Sequence, residues 1–227
     1  MKKTITCFFL FVTFLSAQKG FSQNLPVKLG LQVSPNLAWL SPKATDYNSD
    51  GAVLGVTIGL ISDFYFAERY AFSTGLNFSF INGKMNFPDS IPAASGKTSL
   101  KYNFIYLEIP MMIKMSTRDF GKYSFYGQIG FGTGFRLTAS TKGTFIDDAT
   151  NKETDVKNDV AGNTSLIRES VIIGFGTEYH LDESSRILVG LSYSNALNNV
   201  LTGSNKKTFI EEKALLNLAE LKIGFIF

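Results

Sequence analysis

The chain has 227 residues, a length that suits one domain, and 44% of them are hydrophobic against 18% that are charged. Its formal net charge is only +3, from 22 basic and 19 acidic residues, and this modest basicity argues against a nucleic-acid partner.

The N-terminal segment, MKKTITCFFLFVTFLSAQKGFSQN, has a basic start followed by an apolar run from Ile5 to Leu15. A membrane-spanning helix needs about 20 apolar residues, so this run is too short to cross a bilayer. We therefore expect residues 1–22 to be a secretory signal peptide, with a buried first strand or an anchor helix as the alternative. Residues 23–227 would form the mature domain.

Loss of this segment would change the chemistry of the mature chain. Cys7 is the chain's one cysteine, so the mature domain would have no disulfide. Lys2, Lys3 and Lys19 would leave with no acidic residue, and the remaining 19 basic and 19 acidic residues would balance. The basic excess is thus a targeting feature, and a nucleic-acid partner is not expected.

The rest of the chain is dominated by alternation of apolar and polar residues with a period of two, which predicts β-strands. In the fifth segment, for example, Phe125, Ile129 and Phe131 alternate with Tyr126 and Gln128. In chain order, the eight predicted strands span about residues 27–39, 52–64, 70–82, 105–114, 125–137, 168–179, 187–194 and 220–227.

The connections between these segments alternate in length. Short ones, YFAER, STRDFG and HLDESS, follow the second, fourth and sixth strands, and long polar ones follow the others. The longest, TKGTFIDDATNKETDVKNDVAGNTS, is rich in charge, and we expect it to be a mobile loop. Short turns at one end and long loops at the other are typical of an outer-membrane barrel, whose turns face the periplasm.

The composition of the two faces separates a membrane barrel from a soluble eight-stranded barrel. A soluble barrel would place its apolar face inside, but a core of the opposite face, rich in Gly, Ser, Lys and Glu, would pack poorly. We therefore predict an all-β, eight-stranded antiparallel up-and-down transmembrane β-barrel, integral to the lipid bilayer of the outer membrane. Aromatic residues at the strand ends fit two interfacial girdles. They are Phe64, Tyr65, Phe66, Tyr70, Tyr123, Tyr179 and Phe227 at the turn end, and Trp39, Phe80 and Phe135 at the loop end.

The closing stretch, AELKIGFIF, alternates up to Phe227. Closing a barrel pairs the last strand with the first, so no strand edge stays exposed. An apolar residue at every second position before Phe227 also resembles the terminal signal read by the outer-membrane assembly machinery, which we expect to be a partner.

The predicted inward face carries charges. An eight-stranded barrel is only wide enough to be filled by side chains, so buried charges there must be paired. We expect a structural ion-pair and hydrogen-bond network, with a narrow polar path or a ligand pocket as the alternative. Its members would be Lys28, Asp63, Glu108, Lys114, Arg136, Arg168, Glu178, Glu220 and Lys222.

Three further features do not predict a cofactor, metal or catalytic site. The glycines at 130, 132 and 134 lack the spacing and the strand–turn–helix setting of a phosphate-binding loop, and they more simply make room for larger side chains. The acidic cluster Asp147, Asp148, Asp155 and Asp159 lacks the ordered spacing of a calcium loop. The one histidine, His180, falls in a turn beside Asp182 and Glu183, at the end opposite to outer-leaflet lipid, so a lipid hydrolase is not expected.

The stretch FIYLEIPMMIKM (104–115), followed by GKYSFYGQIGFGTGFRL, resembles the PorT-like outer-membrane β-barrel family. The matching positions are Tyr106, Leu107, Glu108, Ile109, Pro110 and Lys114. Members of that family include a component linked to type IX protein secretion and many barrels of unassigned role. Since Pro110 has no amide donor, we expect a bulge or a locally unpaired site in the fourth strand.

These features predict a non-enzymatic integral outer-membrane barrel that acts as a scaffold or interaction module. The resemblance implies an accessory of a type IX secretion apparatus. A small passive channel, or a receptor for a ligand or an external surface, is the alternative.

Overall fold

The computed structural model describes residues 27–43, 47–91, 94–182, 184–203 and 213–227. The predicted signal peptide, residues 1–22, lies outside them and stays a prediction. The strands found in the described residues are β1 (Val27–Pro42), β2 (Asn48–Ser49), β3 (Val53–Ala67), β4 (Tyr70–Ile91), β5 (Ala94–Ser116), β6 (Tyr123–Asp147), β7 (Glu153–Asp159), β8 (Ile167–His180), β9 (Arg186–Ala196) and β10 (Ala214–Ile226). The described part of the chain contains no helix with the length and apolarity that crossing a membrane requires.

Eight of these strands form a closed antiparallel ring. The order of neighbours is β1, β3, β4, β5, β6, β8, β9 and β10, and β10 pairs back to β1. At the seam, Val33 lies opposite Ile223, and the Phe227 amide donates to the Leu29 carbonyl oxygen at 2.8 Å. The predicted all-β, eight-stranded up-and-down fold is confirmed, while β2 and β7 lie off the ring and pair only with β4 and β6.

The two faces of the wall differ as the alternation predicts. Outward residues such as Leu31, Phe131 and Phe175 are 55–64% exposed, whereas inward residues such as Ser34 and Thr57 are buried. An apolar surface of this extent is stable only against lipid or another apolar partner.

The aromatic residues predicted at the turn end face outward, with the exception of Tyr65. Phe64, Phe66 and Tyr123 are exposed, as expected of a girdle. Tyr65, which the sequence predicts in the girdle, instead shares the inward face with Asp63, and the Lys28 ammonium lies 5.5 Å from its ring centroid. Tyr65 faces inward because Phe64 and Phe66, its neighbours on the same strand, face outward, and successive side chains of a strand point to opposite sides.

The long connections at the loop end are more ordered than expected. Strands β4 and β5 continue as a hairpin as far as the pair Ile91 and Ala94, and β6 runs on to Asp147 and pairs with β7. The longest connection, predicted to be a mobile loop, therefore consists largely of strand, followed by a short 3₁₀ helix at Ala161–Asn163. Strand pairing satisfies the backbone groups of these polar residues, which period-two apolar patterning does not reveal.

Backbone irregularities in the ring include a register shift in the β3–β4 hairpin between Tyr65 and Ala67 and three further sites. In β6 the register shifts by one, and Leu137 is the additional residue opposite Ile105 and Tyr106. The β4–β5 ladder skips the two positions between Thr74–Met111 and Asn77–Glu108 without a register shift, and Pro110 lies there. The sequence predicts either a bulge or a locally unpaired site at Pro110, and the structure has the unpaired site. Pro35 interrupts the β1–β10 ladder in the same way, because proline has no amide hydrogen.

The interior has two levels. Towards the loop end it is filled by an apolar cluster that includes Leu40, Phe104, Tyr106 and Leu216, each at most 1% exposed. Towards the turn end it is polar and charged. The sequence predicted a polar interior throughout, and the apolar level was missed.

Glycines create the space for the large inward side chains, as expected. A Cβ at Gly190 or Gly176 would collide with the Tyr126 hydroxyl, and one at Gly134 would lie 3.1 Å from Glu108 Cγ. The close approach of neighbouring side chains thus explains why glycine occupies these positions.

Candidate functional site: the charged lumen and its mouth

Lys114 is the centre of the charged level. Its Nζ lies 2.7 Å from Asp63 Oδ2 and 2.5 Å from Glu178 Oε1, and all three residues are at most 1% exposed. Arg186 Nη1 lies 2.8 Å from the other oxygen of Glu178, and Ser73 Oγ donates to Asp63 at 2.6 Å. The group joins strands β3, β4, β5, β8 and β9 across the lumen, so it ties together parts of the ring that are not neighbours.

A second ion pair lies above the first, towards the loop end. Arg168 Nη1 is 2.7 Å from Glu108 Oε1, and Arg168 Nη2 donates to Ser194 Oγ at 2.9 Å and to the Leu216 carbonyl oxygen at 3.2 Å. Ser79 Oγ donates to Glu108 Oε2 at 2.5 Å. The planar guanidinium suits such a site because it donates in several fixed directions.

Glu220 and Lys222 form a looser third group on β10. Glu220 accepts from Thr57 Oγ1 at 2.6 Å and from Ser192 Oγ at 3.3 Å. Lys222 is 7% exposed, and among the described residues no carboxylate lies within 4.0 Å of its ammonium. It borders a void of about 20 Å³ between Gln32, Gln128 and Tyr126, which is room for about one water molecule.

Two of the nine predicted network residues lie elsewhere. Lys28 sits at the turn end against Tyr65. Arg136 faces inward near the loop end, where its guanidinium donates to the carbonyl oxygen of Thr164 at 2.9 Å and also contacts that residue's hydroxyl. Arg136 therefore fastens the segment that follows β7 to the wall.

Arg186 is a network member that sequence reasoning missed. It precedes the alternating run of β9 by one residue, on the same face as Gly190, Ser192 and Ser194. Extending that alternation towards the N-terminus would have placed it inside.

The turn end opens into a cavity of about 630 Å³, here called the vestibule. Its charged lining is mainly basic, with Lys28, Arg69, Arg118 and Arg186 against Glu68 and Asp119. The Nε of Arg186 is buried and has no hydrogen-bond partner among the described residues. The cationic groups of this lining make a surface suited to anionic groups.

His180 lies on β8 and not in the turn, so its assignment to an ordinary turn is wrong, and its partners Ser124 and Asp119 line the vestibule. It is the last residue of β8, with Nε2 3.0 Å from Ser124 Oγ and Nδ1 3.6 Å from Asp119 Oδ2. This order of residue types matches a nucleophile relay, but Ser124 is only 2% exposed and the Asp119 side chain is 57% exposed. The arrangement is therefore better suited to fixing the β6–β8 edge than to attacking a substrate.

Among the described residues, no group of three or more His, Cys, Asp and Glu side chains is arranged to hold a metal ion. In the acidic stretch, the Asp147 carboxylate instead accepts from the Ala149 amide at 2.9 Å and from Thr150 Oγ1 at 2.6 Å, which closes a local turn. The expected absence of metal and cofactor stays a prediction.

A family model described as an outer membrane protein beta-barrel domain matches residues 17–202. The chain belongs to this family. An outer membrane protein beta-barrel is integral to the outer membrane, and its short turns face the periplasm while its long loops face outward. The vestibule is therefore at the periplasmic end, and the apolar cluster lies towards the cell exterior.

The chain is similar to several solved outer-membrane barrels at low sequence identity. The outer membrane protein OprG from Pseudomonas aeruginosa is 13% identical, with a TM-score of 0.47 over 88% of this chain and 95% of that one. Neisserial surface protein A is 9% identical, with a TM-score of 0.43 over 88% and 95%. The outer membrane protease OmpT from Escherichia coli is 8% identical, with a TM-score of 0.39 over 92% and 99%. No curated protein matches the sequence.

Proposed function

We propose that this outer membrane protein beta-barrel is a non-conducting, non-enzymatic scaffold that acts through contacts at its two ends. The observation that carries the proposal is the filling of the lumen at two successive levels. The outer level is the apolar cluster around Leu40, Phe104 and Leu216, and the inner level is the charged group around Lys114. An ion would have to cross an apolar layer and break a paired charge group, and both steps are costly.

The finer proposal is an accessory role in a type IX protein-secretion apparatus, and its support is the resemblance of residues 104–115 to the PorT-like family. Within that motif, Tyr106 packs in the apolar cluster, Glu108 pairs with Arg168, and Lys114 binds Asp63 and Glu178. These three motif residues are thus occupied inside the barrel, while Ile109 lies on the outward, lipid-facing wall. A periplasmic secretion partner must therefore dock on another surface.

The vestibule is the surface that best fits such a partner from the periplasm. Arg69 and Arg118 are exposed at its rim, and Lys28 and Arg186 lie deeper. An acidic segment of a periplasmic or membrane partner would complement this basic lining.

Crosslink-assisted co-purification of the tagged protein from outer membranes tests this proposal. We expect secretion-pore subunits to be recovered in a stable ratio with the wild type, and to be lost with the double variant Arg69→Glu/Arg118→Glu. The matched control is Lys43→Glu/Lys152→Glu, which makes the same charge change at exposed positions of the outer end. Recovery of the barrel alone from wild-type membranes contradicts the secretion role, and equal recovery with the rim variant contradicts docking at the vestibule.

A passive channel or ligand receptor is the second candidate, and the vestibule of about 630 Å³ is the observation that favours it. Single-channel recording of refolded protein in planar bilayers separates the two. We expect a silent barrel, because the vestibule ends at the Lys114 group. Steady ohmic steps at neutral pH contradict the scaffold.

A further inference from the structure

Strand register places four lysines in one row across the outer sheet. Lys84 of β4 lies opposite Lys101 of β5, Lys101 lies opposite Lys142 of β6, and Lys142 lies opposite Lys157 of β7. Neighbouring strands are about 4.8 Å apart, so successive members of the row follow one another at that backbone spacing. Like charges directly opposite in a sheet are destabilising.

The row lies on the outer face of the wall. The residues that alternate with it, including Met85, Tyr102 and Thr141, are buried towards the lumen, while Lys142 is exposed and Lys84 and Lys101 are half-buried. The flanking residues on the same face are neutral and polar in these three strands. They are Asn82, Asn103 and Ser140 on one side, and Asn86, Ser99 and Thr144 on the other.

Acidic residues reach only the ends of the row. Asp50 adjoins Lys84, with its amide donating to the Lys84 carbonyl oxygen at 3.1 Å, and Asp155 lies opposite Thr144 on β7. In the described residues, no carboxylate lies within 4.0 Å of the ammonium of Lys84, Lys101 or Lys142. The centre of the row is therefore uncompensated by the protein itself.

The position of the lysine row along the membrane normal indicates what neutralises its positive charge. Phe80 and Phe135, 40% and 39% exposed, lie near the outer limit of the lipid-facing apolar band. Lys84 is four residues beyond Phe80, about 13 Å along a strand and about 10 Å along the membrane normal when the strand is tilted as in such barrels. This level faces the head groups of the outer leaflet.

We propose that the lysine row binds the phosphate groups of lipopolysaccharide in the outer leaflet. The row faces sideways, along the plane of the membrane, so its occupant is a membrane component rather than a soluble polyanion arriving at the loop tips. Lipopolysaccharide carries phosphates at the head-group level, and an ammonium row with amide and hydroxyl neighbours provides donors for their oxygens. This contact is independent of the proposed periplasmic partner, so either proposal can fail without the other.

The test compares lipopolysaccharide binding by the wild type and by Lys84→Gln/Lys101→Gln/Lys142→Gln, both refolded in neutral detergent. The ligand is fluorescently labelled lipopolysaccharide, with its enzymatically dephosphorylated form and phosphatidylglycerol as comparison probes. The matched control is Lys43→Gln/Lys97→Gln/Lys152→Gln, which removes three exposed outer lysines that are not in the row. Thermal unfolding without lipopolysaccharide shows that each variant is folded.

We expect at least tenfold weaker lipopolysaccharide binding by the row variant and an unchanged affinity of the control. Dephosphorylated lipopolysaccharide should bind the wild type as weakly as the intact form binds the variant. At low salt and without ligand, the row variant should unfold at a higher temperature than the wild type, because repulsion is relieved. Equal affinities of variant and wild type, or of both lipopolysaccharide forms, overturn the proposal. Equally tight binding of phosphatidylglycerol overturns the assignment to lipopolysaccharide.

Discussion

Lys114 on β5 reaches past β6 to Glu178 on β8, and the two charged groups meet 2.5 Å apart inside the barrel. On its other side, the same ammonium lies 2.7 Å from Asp63 on β3. One lysine thus joins three strands that are not adjacent in the ring, and its removal leaves two buried carboxylates facing one another.

We expect Lys114→Met to lower the free energy of unfolding by about 3–5 kcal/mol, the usual cost of breaking a buried ion pair. Urea unfolding of the barrel refolded in lipid vesicles measures this. The matched variant, Lys114→Met with Asp63→Asn, keeps Glu178 paired with Arg186 at 2.8 Å and leaves no unpaired carboxylate in this group, so it should recover most of the loss. A single variant as stable as the wild type would show that the lumen is wet enough to solvate the carboxylates.

Gly190→Ala should destabilise the barrel by about 1–3 kcal/mol through overpacking. A Cβ there collides with the Tyr126 hydroxyl and lies 2.8 Å from the Phe175 carbonyl oxygen. Gly127→Ala is the control, since nothing lies within 4 Å of a Cβ at that position. Both are measured by the same vesicle unfolding assay, and equal stabilities would contradict the steric role.

The fold was predictable because the outward face is encoded residue by residue. Alternation such as that of Phe125, Ile129 and Phe131 identifies the faces of a strand without knowledge of its partners. Alternation also stops where the membrane stops, so the sequence pattern predicts loops where β4, β5 and β6 continue outward. In that region pairing depends on register between strands, which a single strand's pattern does not contain.

The charged lumen was predictable in membership but not in pairing. The alternation of side chains along each strand places Lys114, Glu178 and Asp63 inside. The pairing of carboxylates with cations depends on the shear of the closed ring, which alternation does not give. The apolar level was missed for a related reason. Leu40, Phe104 and Leu216 extend the inward faces beyond the predicted strand limits or lie among polar neighbours, and only closure brings them together.

Ser124, His180 and Asp119 follow the order of a catalytic triad. The reactivity of Ser124 therefore tests the non-enzymatic proposal. A fluorophosphonate probe labels an activated serine, and we expect no labelling of the refolded wild type above the level of Ser124→Ala. The reason is geometric, since the serine is 2% exposed and the His180–Asp119 distance is 3.6 Å. Labelling that disappears in both Ser124→Ala and His180→Gln would establish a hydrolase in place of the scaffold.

The periplasmic turn after β8 should carry an unusually acidic carboxyl group. The backbone amides of Ser185 and Ser184 donate to Asp182 at 2.7 and 2.9 Å, and they lower its pKa to about 2. Because the folded pKa lies below that of the unfolded chain, the stabilisation is present above about pH 4 and is lost as the pH falls towards 2. Side-chain carbonyl chemical shifts measured against pH report the pKa directly, and a value near 4 would contradict these hydrogen bonds.

The hairpin arm β7 should be dispensable for the barrel itself. It pairs only with the outer part of β6 and lies off the closed ring, so replacing residues 148–159 with a Gly/Ser linker of equal length keeps the connection to Val160 and removes no pairing between the eight ring strands. We expect the linker variant to keep the heat-modifiable mobility of a folded barrel and the wild-type free energy of unfolding in urea to within about 1 kcal/mol. A large loss of stability would instead place the outer sheet in the folding core, since Arg136 anchors the segment beyond β7 to Thr164. Arg136→Gln separates these cases, because it should weaken that anchor in the full-length chain while leaving β7 in place.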